Sequence, residues 1–174
     1  MAITKIQSES LNLADTYDFT GTVTGAGGIN TPAFYAKLGS DQTLSGSTTA
    51  KINIGSEIYD SDSCYDATTN YRFTPTTAGK YFVYGSIRFR HDGGLNYTSR
   101  TLIYKNGSNY VGTNSEFQNT VSYGQTVQAS GIVDMNGTSD YLELFGFMEW
   151  HSSGNLKASN NFNATYFGAY KIIE

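Results

Sequence analysis

The chain has one cysteine, two prolines and two histidines among 174 residues. The single thiol, Cys64, excludes an internal disulfide and reads as a small buried side chain. Lys and Arg total 11 against 15 Asp and Glu, and they form no cluster. That excludes a nucleic-acid surface, which needs grouped cations to neutralise phosphates. No apolar run approaches the ~20 residues of a membrane helix. The first fifteen residues also lack the continuous apolar stretch of a secretion signal. Sequons at Asn96, Asn106, Asn136 and Asn163 therefore read as accidents of an Asn/Ser/Thr-rich chain. Soft metal ligands are confined to Cys64, His91 and His151, with no pair at metal spacing, and both histidines are expected at the surface. Catalytic signatures such as G-x-S-x-G, H-E-x-x-H or a phosphate loop do not occur. Glu143 and Glu149 share a strand face, but at ~3.3 Å per residue they stand about 20 Å apart, too far to flank one bond. A non-enzymatic chain is expected.

Tyrosine is what the sequence has in abundance: 14 Tyr, 10 Phe and 19 Gly beside 15% charged residues. This is the composition of an all-β protein with short strands and polar turns, at a length that suits one domain. No helical period lasts three turns. Strands are expected over residues 34–38, 51–59, 71–74, 80–90, 100–105, 121–134, 141–150 and 162–173. Asp92-Gly93-Gly94, Asn106-Gly107 and Asn136-Gly137 break the chain between them. The segment NYRFTPTTAGKYFVYGSI, 70–87, places aromatics on both sides of a Pro75-to-Gly79 turn, as at a β-sandwich corner. Residues 1–30 differ: Ile3, Ile6, Leu11, Leu13 and Phe19 are scattered through a polar arm ending in Gly25-Ala26-Gly27-Gly28. Two parts follow, an arm over 1–30 and a head over 31–174.

Period-two patterning carries an inference about assembly. In 81–89, Tyr81, Val83, Ile87 and Phe89 share a face, while Phe82 and Tyr84 begin the other before Arg88 and Arg90. Phe145 and Phe147 oppose Leu142, Leu144, Met148 and Trp150, and Tyr166 and Tyr170 oppose Phe167 and Ala169. Outer faces of a sandwich in water are polar, so aromatics on both faces predict burial between copies of the chain.

The order of motifs from Pro32-Ala33-Phe34-Tyr35-Ala36, through Phe73-Thr74-Pro75 and Ala78-Gly79-Lys80-Tyr81-Phe82, to Lys105-Asn106-Gly107 and Phe167-Gly168-Ala169-Tyr170 resembles one known family. It is that of the complement globular heads and tumour-necrosis-factor-like jelly rolls. The resemblance implies an antiparallel β-sandwich jelly roll forming a compact homotrimer, with Phe82, Tyr84, Phe145, Phe147 and Phe167 as candidates for the threefold interface. The arm, with Ile3-Thr4-Lys5-Ile6 and Phe19-Thr20-Gly21-Thr22-Val23, resembles leaders of tailed-bacteriophage virion proteins. That implies a virion-surface protein made in the host cytoplasm and anchored to other virion proteins through Ile3, Ile6, Leu11, Leu13 and Phe19.

The implied function is adhesion to a host-surface receptor or glycan as a fibre tip. The alternatives are a capsid decoration protein whose arm clamps the shell, and a secreted cytokine-like ligand. Loop geometry puts the connections at 61–70, 91–98 and 136–140 at one end, and those at 76–78, 106–120 and 151–161 at the other. Tyr97, Tyr110, Phe117, Trp150 and His151 are the recognition candidates, since aromatics among Asn, Ser and Asp suit sugar or protein contacts. No cofactor is expected. Asp60, Asp62 and Asp66, at alternating positions in YDSDSCYD, form a weak calcium candidate.

Overall fold

A computed structural model describes residues 29–92, 96–116, 123–150 and 155–172. Two antiparallel sheets enclose one core. The first is organised around β7 (Gly79–Asp92), a fourteen-residue strand. One edge of β7 pairs with β10 (Gly124–Met135) from Gly79↔Met135 to Arg90↔Gly124. Its other edge is shared by β13 (Tyr166–Lys171) and β12 (Asn155–Ser159). Beyond β13 lie β1 (Ala33–Lys37) and then β4 (Ser56–Asp60), and beyond β12 lies β2 (Gln42–Leu44). The second sheet runs β5 (Tyr65–Asp66), β6 (Arg72–Phe73), β11 (Leu142–Trp150), β8 (Asn96–Lys105), β9 (Ser108–Glu116), with β3 (Ala50–Lys51) also on β11.

The alternation of β7 is as expected: Tyr81, Val83, Ile87 and Phe89 are fully buried between the sheets. The core centres on Phe34. Its ring stacks on Tyr65 at 4.4 Å and Phe73 at 4.6 Å, and meets the edge of Phe167 at 5.1 Å. Such ring pairs add about 0.5–1.5 kcal/mol each beyond the area they bury. The buried Tyr65 hydroxyl donates to the Ile54 carbonyl at 2.7 Å, so the aromatic cluster carries no orphaned phenol there.

Three expectations are corrected. Residues 51–59 are not one strand: β3 belongs to the second sheet and β4 to the first, and the chain crosses between them at 52–55. Ile52 and Ile54 fill the core at this corner, so its alternation imitates a strand. Residues 108–116 form a strand, not part of a loop; β9 is a largely exposed, polar edge strand with no apolar alternation to betray it. Residues 162–163 lie in a 3-10 turn, Asn161–Asn163, between β12 and β13.

The extra strand reverses the expected grouping of loops. Asn106-Gly107 is a tight hairpin and β9 carries the chain back, so the 136–140 turn joins the 76–78 and 106–107 turns. The Asn106 amide donates to Asp140 at 2.8 Å, and Gly137 lies against Ala78. Cys64, buried as expected, is also at this end, 3.9 Å from the Thr76 hydroxyl. The opposite end holds the close of β7 and the start of β10, where the His91 amide donates to Tyr123 at 3.2 Å.

Gly137 closes the shared end. Its φ is +71°, and a Cβ would lie 2.4 Å from the Ala78 nitrogen. Gly137→Ala meets both left-handed strain and backbone overlap, and is expected to lose about 2 kcal/mol or more. Urea unfolding measures it. Thr138→Ala, whose side chain is exposed, should stay within about 0.5 kcal/mol of the parent.

Candidate functional site

The outward face of the first sheet carries a continuous group of aromatic rings. Phe82 and Tyr84 come from β7, Tyr166 and Tyr170 from β13, and Tyr35 from β1. Their positions follow from register. Tyr35 is opposite Gly168 on one side, and Gly168 is opposite Tyr84 on the other. With no side chain at Gly168, the Tyr84 ring leans across β13; a Cβ there would come within 2.5 Å of its Cζ and Oη. Tyr84 thereby reaches Tyr35 at 6.5 Å and Tyr166 at 6.2 Å, while Phe82 contacts Tyr84 at 5.9 Å and Tyr170 at 5.6 Å. Tyr35 and Tyr166 close the group at 5.8 Å. Ile132, 56% exposed, is opposite Phe82 on β10, and Tyr59, 50% exposed, is opposite Tyr35 on β4.

Partial burial of the group raises the Tyr84 hydroxyl above the ordinary phenol range, with the neighbouring Tyr35, Tyr166 and Tyr170 hydroxyls adding to the effect. Tyr35 moves the same way, from burial and then Tyr166. These phenols stay neutral at physiological pH and act as donors. The Tyr166 oxygen, in turn, accepts a hydrogen bond from the Gln128 side-chain amide at 2.9 Å.

Further along, the same face turns ionic. Asp92 lies 2.8 Å from Lys157 and 2.9 Å from Arg90, and the Arg90 guanidinium covers the Tyr123 ring at 4.9 Å. Lys157 and Arg90 hold the Asp92 carboxyl below its ordinary range, chiefly through the lysine hydrogen bond. The face is therefore divided into an aromatic half and a charged half.

Of the five expected interface aromatics, Phe82 and Tyr84 are on this face. Phe167 is not: it is fully buried, because odd positions of β13 point at Phe34. Phe145 and Phe147 are on the outward face of the other sheet, where Phe145 stacks on Tyr104 at 4.1 Å and Phe147 lies beneath Arg100 at 4.7 Å. Phe145 and Phe147 therefore belong to a different outward surface from Phe82 and Tyr84. Tyr35, Tyr166, Tyr170 and Ile132 complete the patch instead. Tyr166 and Tyr170 flank Gly168 with matching parity, which is a readable signal; Tyr35 and Ile132 come from pairing across strands.

The recognition candidates are dispersed. Tyr97 is half-buried near the start of β8. Tyr110 lies within β9 rather than in a loop, and its hydroxyl donates across the sandwich edge to the Ile132 carbonyl at 2.9 Å. Trp150 ends β11, opposite Asn96. Its side chain, together with Phe117, His151 and the arm residues Ile3, Ile6, Leu11, Leu13 and Phe19, lies outside the described residues. His91 is not at the surface as expected: it is fully buried, and neither ring nitrogen has a hydrogen-bond partner among the described residues.

No family model and no curated protein sequence matches the chain. Solved structures do. Murine APRIL at pH 5.0 superposes with a TM-score of 0.58 at 10% identity, over 80% of this chain and 98% of that one. Eiger TNF from S. frugiperda gives 0.56 at 10% identity, over 80% and 90%. The fold is a tumour-necrosis-factor-like jelly roll. Identity this low carries the architecture alone. Within the jelly roll, the aromatic patch occupies the outward face of the sheet β4-β1-β13-β7-β10.

The three aspartates of the calcium candidate are engaged with the chain itself. Asp60 accepts the Tyr65 amide at 2.8 Å, and Asp62 bonds the Ser61 hydroxyl. Asp66 accepts the amides of Thr69 at 2.8 Å, Thr68 at 3.0 Å and Asn70 at 3.0 Å. Among the described residues, no three His, Cys, Asp or Glu side chains are placed to hold a metal ion.

Those amides, Thr69 first and then Thr68, push the Asp66 carboxyl well below the usual carboxylate range. A depressed carboxyl adds stability above its unfolded pKa, near 3.9, and loses it as pH falls towards the folded value. Asp66→Ala should cost on the order of 1 kcal/mol at neutral pH, as for a lost cap. The gap should narrow as pH drops below about 4, in urea titrations of parent and variant.

Proposed function

We propose that this chain is a non-enzymatic recognition head on the surface of a virus particle. It assembles as a homotrimer through the aromatic face of the first sheet and is mounted by its N-terminal arm. The aromatic patch carries this reading. Half-exposed rings from three adjacent strands, continued by Ile132 and Tyr59, make an apolar surface that water disfavours and a second copy of the chain would cover. Its neutral phenols add directional donors to such an interface, and the ionic half of the face gives it a polar margin. Support for a virion comes from the sequence of the arm, and adhesion is the use to which a rigid sandwich with polar loops is best suited.

Two experiments test the proposal. Light scattering at micromolar concentration should give the mass of a trimer. Phe82→Asp with Tyr84→Asp should give a folded monomer by circular dichroism, weakening association at least about a hundredfold, as expected when central aromatics are lost. A parent monomer would overturn the assembly. Removal of residues 1–28 should abolish incorporation into particles, while the isolated trimer still binds host cells. A trimer that is incorporated but binds no host cell would instead be a capsid decoration protein.

A further inference from the structure

A cleft of about 400 Å³ opens where the chain leaves β1 and where it crosses between the sheets. Its lining includes Ser40, Asp41, Gln42, Asn53, Gly55 and Tyr71, none of them part of the aromatic face. We propose that this cleft is a binding site for a neutral sugar. The proposal gives the recognition head a ligand class, and it rests on that reading for its biological sense.

The cleft has the size of a small-ligand site and a mixed lining. Among the described residues that line it, the aromatic ring is that of Tyr71, whose Cε1 lies 3.5 Å from where a Gly55 Cβ would be. Tyr71 has φ +50°, an uncommon conformation for a bulky residue. The turn before it is pinned by Asp66, which accepts both the backbone amide of Asn70 and its side-chain amide at 2.7 Å. Strain kept by such a brace, with the ring delivered to a cleft, is a pattern of functional sites.

The polar groups around the ring are fixed before any ligand arrives. Gln42 donates to the Lys51 carbonyl and accepts the Asn53 amide, both at 2.8 Å. Asp41 Oδ1 accepts the Ser159 hydroxyl at 3.0 Å and the Asn160 amide at 2.9 Å. Its Oδ2 is 4.0 Å from Lys157, which together with Arg90 balances the Asp41 and Asp92 carboxylates as a group. Neither a cation nor an anion is favoured by this near-neutral rim. A sugar ring offers what the cleft complements: a C–H face for the tyrosine, and hydroxyls that both donate and accept for Asp41, Asn53 and Ser40.

The test uses the full chain and saturation-transfer NMR with glucose, galactose and N-acetylglucosamine, and with glucuronate as the charged comparator. At least one neutral sugar should receive saturation, and Gly39→Trp should weaken its binding at least tenfold. Gly39 tolerates the plug: a Cβ there meets only the Ser56 Cβ, at 3.8 Å. Tyr71→Phe should bind nearly as the parent does. No transfer to any neutral sugar, transfer undiminished by Gly39→Trp, or preference for glucuronate would each overturn the site. A parent that binds host cells but no sugar loses the cleft and keeps the recognition reading; one that binds sugar but no host cell does the reverse.

Discussion

Everything in this fold depends on β7 being hydrogen-bonded along both edges. A fourteen-residue strand with β10 on one side and β13 and β12 on the other cannot slip by one residue without turning Tyr81, Val83, Ile87 and Phe89 out of the core. The same register holds Phe82 and Tyr84 outward. Core and outer face are thus two consequences of one pairing. A single strand decides both what holds the domain together and what it presents to other molecules.

The aromatic face needs more than alternation. Five half-buried rings could not come so close if every strand carried a side chain at every outward position. Gly168 is the gap. It lies opposite Tyr35 and Tyr84 at once, and its missing side chain lets the rings close over β13. A glycine in the middle of a strand weakens it, a cost offset here by pairing on both edges with β1 and β7. In a lone chain, such an arrangement leaves apolar surface in water; in an assembly it supplies a preorganised contact. The proposed homotrimer would use that preorganised surface.

How far the sequence could be read depended on the kind of signal. Strong alternation, as in β7, β11 and β13, was legible because buried and exposed positions differ in chemistry. Phe73, in the aromatic corner over 70–87, reads as a core-strand residue on the same grounds. Two classes of element escaped. Polar edge strands, β9 above all, bury too little to show a period, and missing that one strand sent the 136–140 turn to the wrong end. Long-range pairing also escaped: Phe145 and Phe147 share parity with no core residue of β11, yet parity cannot say which of two sheets a strand joins. Phe167 failed differently. Its motif suggested an interface, while its own alternation with Tyr166 and Tyr170 already placed it inward.

The corner at 52–55 shows how one rule can both mislead and instruct. Ile52 and Ile54 are fully buried and Asn53 is exposed, a strand-like pattern in a segment that is crossing between sheets. The Ile52 amide still donates to the Leu144 carbonyl at 2.9 Å and the Ile54 amide turns back to the Ile52 carbonyl at 3.0 Å, so the alternation comes from both isoleucines packing inward at a corner, not from one continuous strand. Two isoleucines pointing inward leave Asn53 and Gly55 pointing out, beside Tyr71 and the Asp41-Gln42 turn. The polar lining of the cleft is therefore a by-product of core packing at the crossover. Asn53 and Gly55 lie outside the paired strands, whereas Gln42 is paired with Ala158 and its side chain ties the crossover to β2, so the cleft is held by the same contacts that fix the corner.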